Sequence, residues 1–297
     1  MKNQILFSIV IPTYNRSGFI KKVVACFIKQ SYANFELIIV DDGSTDDTGI
    51  VVKRLGDPRI RYYWKKNGER GAARKFGASM AKGDYINYFD CDDIAYENHL
   101  EVAAEAIDKL QRPPVFYLGS EMRDERGKVI FRRINMPDIG GDTLFNINYL
   151  NPNPVFIHRD TLKEVTYNED RTLSATEDWL YHLQLAARYK ILPYDNNVTS
   201  CMIEHSGRSM NTSSGENVLT RASRLKTYLQ RDDVFMQHCG AKLSSVIGEM
   251  YALAALHFAL EGKKKQAGKY ALEAIRNSPK LLFKPKMAAI AKYIVIN

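Results

Sequence analysis

Short, largely apolar runs alternate with helix-patterned stretches over residues 5–93, and each run stops on polar side chains. Residues 5–11 end at Pro12-Thr13-Tyr14-Asn15, and residues 35–40 end at Asp41-Asp42-Gly43-Ser44. A third run covers 60–64, and a fourth, 85–89, leads into Asp90-Cys91-Asp92-Asp93. Runs of this length with few polar interruptions suit strands buried on both faces. Between them, 18–30 carries Ile20, Val23, Val24 and Phe27 at helical spacing, with Ser17 placed to cap it. A second helix is expected from Thr45 or Asp46 to Leu55, and a third, rich in small residues, over 71–81. Strand–helix alternation predicts a mostly parallel sheet covered on both faces. Ligands of such sheets bind beyond the carboxyl ends of the strands, where the polar clusters fall.

The last cluster is the most demanding. Three carboxylates within four residues repel one another and are costly to bury without partners. Oxygen-only donors select a hard divalent cation, Mg²⁺ or Mn²⁺, and such ions commonly join carboxylates to phosphates. The cluster therefore points to an enzyme that handles a phosphorylated donor.

Farther along, 97–110 is patterned as a helix and 115–118 as a strand. Residues 123–153, with Gly140-Gly141, Pro152 and Pro154, are irregular and suit strands and loops over the site. Acceptor-side candidates there are Arg132, Asn151 and Asn153. Ser174-Ala175-Thr176-Glu177 has capping-box spacing before a helix that runs to about Arg188. After Gly215 the pattern is helical, with a hairpin expected around Glu261-Gly262. A boundary is expected at 214, between an α/β domain (1–214) and a helical region (215–297).

Charge divides along the same line. The net charge is +8; residues 211–297 hold 14 Lys+Arg and 6 Asp+Glu, which leaves 28 of each in 1–210. A neutral α/β part argues against nucleic-acid binding. The basic part, with Lys263-Lys264-Lys265 and 281–296, suits either a solvated helical appendage or peripheral contact with an anionic membrane. Four cysteines without metal spacing, no leader-like start and no stretch of transmembrane length give an expectation of a cytoplasmic protein.

Taken together, Ser8-Ile9-Val10-Ile11-Pro12-Thr13-Tyr14-Asn15-Arg16, Ile39-Val40-Asp41-Asp42-Gly43-Ser44-Thr45-Asp46, Asn67-Gly68 leading to Ala73-Arg74, Gly83-Asp84-Tyr85-Ile86, Asp90-Cys91-Asp92-Asp93 and Glu177-Asp178 resemble glycosyltransferase family 2 in order and spacing. The resemblance covers roughly 5–210 and implies the GT-A fold and inverting sugar transfer from a nucleoside-diphosphate sugar, with Mg²⁺ or Mn²⁺. It places Pro12, Thr13 and Tyr14 beside the nucleobase, where the Tyr14 ring can stack, and gives Asp42 a hydrogen bond from a uracil-type N–H. Asp41 is left to the turn. Arg74 would meet the diphosphate or base. The family usually shows Ala-Arg-Asn here, whereas this chain has Ala73-Arg74-Lys75.

The resemblance further assigns Asp90 to the donor's ribose or sugar, Asp92 to the metal and Asp93 to the loop or the sugar. Asp178 becomes the base, with Glu177 supporting, and His205 a metal or diphosphate contact. The implied partners are a nucleoside-diphosphate sugar, UDP-sugar favoured, and a saccharide or lipid-linked saccharide acceptor in cell-surface polysaccharide synthesis. The absence of Gln-x-x-Arg-Trp from the C-terminal half speaks against a processive synthase. Alternatives are a sugar nucleotidyltransferase, which usually carries a Gly-rich loop where Pro12-Thr13-Tyr14-Asn15 stands here, and a non-catalytic sugar-nucleotide binder.

Overall fold

The strand ends that carry the polar clusters lie side by side in a single sheet. A computed structural model describes residues 4–135, 143–147, 150–205 and 213–296; Gly140-Gly141 and Ser206-Gly207-Arg208-Ser209 fall outside them. The chain forms two compact units. The first comprises Met1–Gly140, Leu150–Arg171 and Tyr189–His205, and the second Gly141–Tyr149, Thr172–Arg188 and Ser206–Asn297. The boundary expected at 214 is linear, whereas the two units alternate along the chain.

The first unit holds β1 (Phe7–Thr13), β2 (Phe35–Asp41), β3 (Ile60–Trp64), β4 (Tyr85–Tyr88), β5 (Ile94–Ala95), β6 (Val115–Asp124), β7 (Val129–Arg133), β8 (Val155–His158) and β9 (Ile191–Glu204). Their order is β3-β2-β1-β4-β8-β6-β9-β5, with β7 paired to β6. Among the described residues four pairings are parallel and four antiparallel. The sheet is thus mixed where the pattern implied a mostly parallel one. The causes are β8, which inserts antiparallel between β4 and β6, and the antiparallel pairings of β5 with β9 and of β7 with β6.

Helices α1 (Ser17–Ile28), α2 (Thr48–Lys53), α3 (Glu69–Ser79) and α4 (His99–Lys109) belong to this unit. The expected face of α1, Ile20, Val23, Val24 and Phe27, is buried with Phe7, Ile9 and Ile11 of β1. Burial of each such side chain is worth about 1.5–3 kcal/mol. Ser17 is the first helical residue and not its cap, for Arg16 holds the N-cap position. The Ser17 N–H instead donates to Asp46 Oδ2 at 3.2 Å. Small residues let α3 approach the sheet closely: a Cβ on Gly77 would lie 2.4 Å from Val10 Cγ1.

Strand β9 was not evident in the sequence, because Pro193 and Asp195-Asn196-Asn197 resemble a turn. Its register against β6 jumps from Leu118↔Tyr194 to Gly119↔Val198, so 195–197 bulge out and the strand resumes. Only glycine fits opposite the bulge, since a Cβ on Gly119 would stand 2.3 Å from the Asn197 carbonyl oxygen. Resumption matters because it carries β9 on to Ile203 and Glu204, directly before His205.

The second unit holds α5 (Leu144–Asn146), α6 (Glu177–Arg188), α7 (Gly215–Gln230), α8 (Asp233–Cys239), α9 (Leu243–Leu260), α10 (Lys264–Asn277) and α11 (Pro285–Ile296). The expected hairpin turns at Gly262, whose φ of +74° suits glycine. Contrary to expectation, among the described residues one helical stretch, Asp233–Leu260, is long and apolar enough by composition to cross a membrane; its most apolar 18-residue window has mean hydropathy 1.4, and 61% of that window is buried inside the protein. Its acid Glu249 is buried between Lys284 Nζ at 2.6 Å and Lys286 Nζ at 3.0 Å. Ala252, Ala255, Ala274, Leu281, Met287 and Ile290 form the core beside it.

Candidate active site

The turn after β2 separates two adjacent carboxylates by what each accepts. Asp41 Oδ1 takes the Ser44 N–H at 2.7 Å and its Oδ2 takes the Tyr62 hydroxyl at 2.6 Å, closing the turn as expected. Asp42 is buried; its Oδ1 accepts from Lys65 Nζ at 2.7 Å and from the Gly68 N–H at 2.9 Å. Asp42 therefore ties the β3–α3 loop to the end of β2. Pro12 and Thr13 are buried at the end of β1, while Tyr14 is 49% exposed and its ring is open to a planar ligand. The Asn15 N–H donates to Ser44 Oγ, and Asn15 Oδ1 accepts from the Thr45 N–H, each at 2.8 Å, which joins the first two loops.

Arg74, on α3, is almost fully buried. Its Nη2 donates to Asp90 Oδ1 at 2.8 Å, and its guanidinium stands 5.1 Å from the centre of the Tyr167 ring. The arginine thus orients a carboxylate of the acidic loop.

Asp90, Asp92 and Asp93 each present an oxygen within 4.8 Å of the others. Asp90 and Asp92 are half-buried and Asp93 is buried. Asp93 is held from two sides: its Oδ1 accepts the Ile203 N–H at 2.9 Å and its Oδ2 accepts from Asn153 Nδ2 at 2.7 Å. Asn153 Oδ1 in turn accepts the Asp90 N–H at 2.9 Å. His205 Nε2 lies 3.1 Å from Asp92 Oδ2, and its ring stacks on Phe19 with centroids 5.7 Å apart. Strand order and the ends of β4 and β9 thus bring Asp90, Asp92, Asp93 and His205 together. Hard carboxylate oxygens converging from fixed supports fit a Mg²⁺ or Mn²⁺ ion, which would relieve their mutual repulsion.

Sequence reasoning missed the brace. Asn153, expected on the acceptor side, is fully buried behind the cluster. Asn87 on β4 supports it, donating through Nδ2 to the carbonyls of Asn153 at 2.8 Å and Val155 at 2.9 Å. The signal was an asparagine inside the apolar run Tyr85-Ile86-Asn87-Tyr88-Phe89, a polar group that burial obliges to find partners. The other two acceptor-side candidates are also engaged: Arg132 Nε donates to Glu121 Oε2 at 3.0 Å, and Asn151 Nδ2 lies 3.5 Å from Met202 Sδ.

His99 completes the buried polar layer, its Nδ1 3.0 Å from Thr199 Oγ1 and its Nε2 3.4 Å from Asn87 Oδ1. Burial lowers its pKa to about 3. The unfolded chain takes up this proton near pH 6.5 while the folded chain does not, so stability falls as pH drops from there. Between pH 6.5 and 5 the loss is about 2 kcal/mol. Denaturant unfolding at pH 7 and 5 should show a fall larger by about that amount in the native chain than in His99→Gln, because His257, also lowered by burial, contributes to both.

Asp178 belongs to the second unit, in the first turn of α6, and its Oδ1 accepts the Trp179 N–H at 2.7 Å. Ser174 does not stand directly before α6, which begins at Glu177. Ala175 has a φ of +68°, which breaks the helix that Ser174 would have capped. The Thr176 carbonyl accepts the first helical bond, from the Leu180 N–H at 3.1 Å, and Glu177 Oε2 accepts from the Thr176 N–H at 3.0 Å.

A family model described as Glycosyl transferase family 2 matches residues 8–162, which include β1 from Ser8, β2, Arg74 and the whole acidic cluster. The chain belongs to glycosyltransferase family 2. Among its curated relatives, an uncharacterized glycosyltransferase of Rickettsia conorii is 36% identical over 149 residues, covering 49% of this chain and 24% of that one. Glycosyltransferase GlyG of Streptococcus pneumoniae is 39% identical over 105 residues, 34% of this chain and 35% of GlyG. The matches thus span well under half the length of these relatives. Two solved structures share the fold at low identity. TarS of S. aureus (residues 1-349), in complex with UDP-GlcNAc, superposes with a TM-score of 0.70 at 18% identity, over 98% of this chain and 89% of that one. The mannosyltransferase PcManGT of Pyrobaculum calidifontis, in complex with GDP-Man and Mn²⁺, gives 0.57 at 18% identity, over 99% and 86%. This family 2 member therefore has the GT-A fold.

Proposed function

We propose that the chain is a metal-dependent inverting glycosyltransferase that moves one sugar from a nucleoside-diphosphate sugar, UDP-sugar favoured, to a saccharide or lipid-linked saccharide acceptor. The observation that carries the reading is the braced acidic cluster at the end of β4, beside the end of β1 and its exposed Tyr14. The UDP-GlcNAc complex of TarS and the Mn²⁺ complex of PcManGT support donor and metal class.

Tyr14 would stack on the base and Asp42 accept its N–H, with Pro12 and Thr13 shaping the floor. Asp92 and His205 would hold Mg²⁺ or Mn²⁺, which would supply Lewis-acid stabilisation of the departing diphosphate, with Asp90 beside them toward the donor's ribose or sugar. Asp93 fixes the loop, and Arg74 keeps the Asp90 carboxylate oriented. In the reaction the acceptor oxygen attacks the anomeric carbon, the bond from that carbon to the phosphate oxygen breaks, and the hydroxyl proton passes to a carboxylate. Asp178 has that role by its place in the motif order.

Nucleoside-diphosphate release from a panel of donors, with Mn²⁺ and with chelator, tests the reading, and the anomeric configuration of the product tests inversion. Pyrophosphate in place of nucleoside diphosphate would move the chain to the nucleotidyltransferases. Binding of a donor without turnover in the presence of acceptors would make it a binder.

Asn153→Ala supplies a prediction for the brace. Loss of a group that positions metal ligands typically costs about 10–100-fold in metal affinity. We expect Mn²⁺ binding, followed by electron paramagnetic resonance, to weaken by that factor. Loss of the bonds that Asn153 makes to Asp93 Oδ2 and to the Asp90 N–H should lower stability by about 1–3 kcal/mol.

A further inference from the structure

The positive charge of this chain is concentrated in its last 36 residues. Residues 262–297 contain nine Lys+Arg (263, 264, 265, 269, 276, 280, 284, 286, 292) and one acid, Glu273, a balance of +8 that equals the net charge of the whole chain. Several of these cations are committed: Lys284 and Lys286 to Glu249, Lys263 to Glu261 and Arg276 to Glu273. Lys264, Lys265, Lys280 and Lys292 are exposed and, among the described residues, have no carboxylate partner.

The same segment exposes its apolar side chains. Phe283 is 86% exposed and Leu282 55%, adjacent in the turn between α10 and α11. On α11, Met287 and Ile290 face the core, while Pro285, Ala288 and Ala291 lie on the exposed side at three-residue spacing. A small apolar tip thus continues into a smooth helical face, with Lys280 before it and Lys292 beyond it.

We propose that this tip and its lysines dock the chain on an anionic lipid surface, with Leu282 and Phe283 entering the headgroup boundary. Lysine is depleted from protein–protein interface cores, and two apolar side chains are far fewer than such a core needs. Both features suit a bilayer, where a shallow apolar insertion and basic side chains act together. The inference rests on the second unit alone and does not depend on the donor chemistry.

Co-sedimentation of the full chain with vesicles tests it. Phosphatidylcholine vesicles containing phosphatidylglycerol should bind the chain at 50 mM salt and release it at 500 mM, and pure phosphatidylcholine should not bind. L282S/F283S should weaken partitioning by about tenfold or more. K280Q/K292Q should weaken it by about fivefold per lysine. All of these side chains are exposed, so thermal melting should be unchanged, which separates lost docking from lost fold. Equal binding to neutral vesicles, or partitioning untouched by both variants, would overturn the proposal. So would a lipid-free dimer that L282S/F283S dissociates, which would assign the tip to a second copy of the chain.

Discussion

Asp92→Asn should lower sugar transfer by about a thousandfold, the order expected when several kcal/mol of leaving-group stabilisation are removed. Asp92 is half-buried beside His205, and its partners leave it facing the other two acids. The amide keeps the shape and loses the charge. Without metal, the variant has one fewer like charge among three, so it should melt no lower than the native chain. The difference should appear on adding Mn²⁺: the native chain gains stability in proportion to binding, and the variant gains much less. Full transfer together with an unchanged Mn²⁺-dependent shift in melting would show that Asp92 does not hold the metal.

A contrasting pattern is expected for Asp178→Asn. Removing a general base costs about 10²–10⁴-fold in the chemical step. Donor binding and Mn²⁺-dependent stabilisation should be retained, because neither uses this carboxylate. The opposing interpretation is that Asp178 only complements the dipole of α6, a contribution of about 0.3–1 kcal/mol to stability. Under that interpretation the variant would melt slightly lower and turn over at a nearly native rate. Single-turnover transfer at saturating donor, read beside a melting curve, decides between them; a rate within a few-fold of native would end the base assignment.

What the chain disclosed in advance was local and periodic. Four strands and the buried face of α1 follow from runs and spacings that a short window contains. The acidic cluster could be placed because it directly follows such a run. What stayed hidden depended on partners distant in sequence. Strand β9 has weak strand character of its own and exists because β6 supplies its ladder across a bulge. Asn153 looked like a loop residue, and its role depends on Asp90 and Asp93, some sixty positions earlier. The capping box at Ser174 had the right letters, but Ala175 takes a left-handed conformation that no spacing rule encodes.

The alternation of the two units along the chain has a consequence for how such a protein can diversify. The backbone passes from one unit to the other five times. A single recombination point anywhere from residue 141 to residue 205 would combine parts of both units from different parents. Truncation after 214 would leave 172–188, with Asp178, cut off from most of the unit it belongs to. Inheritance of the two units is therefore coupled.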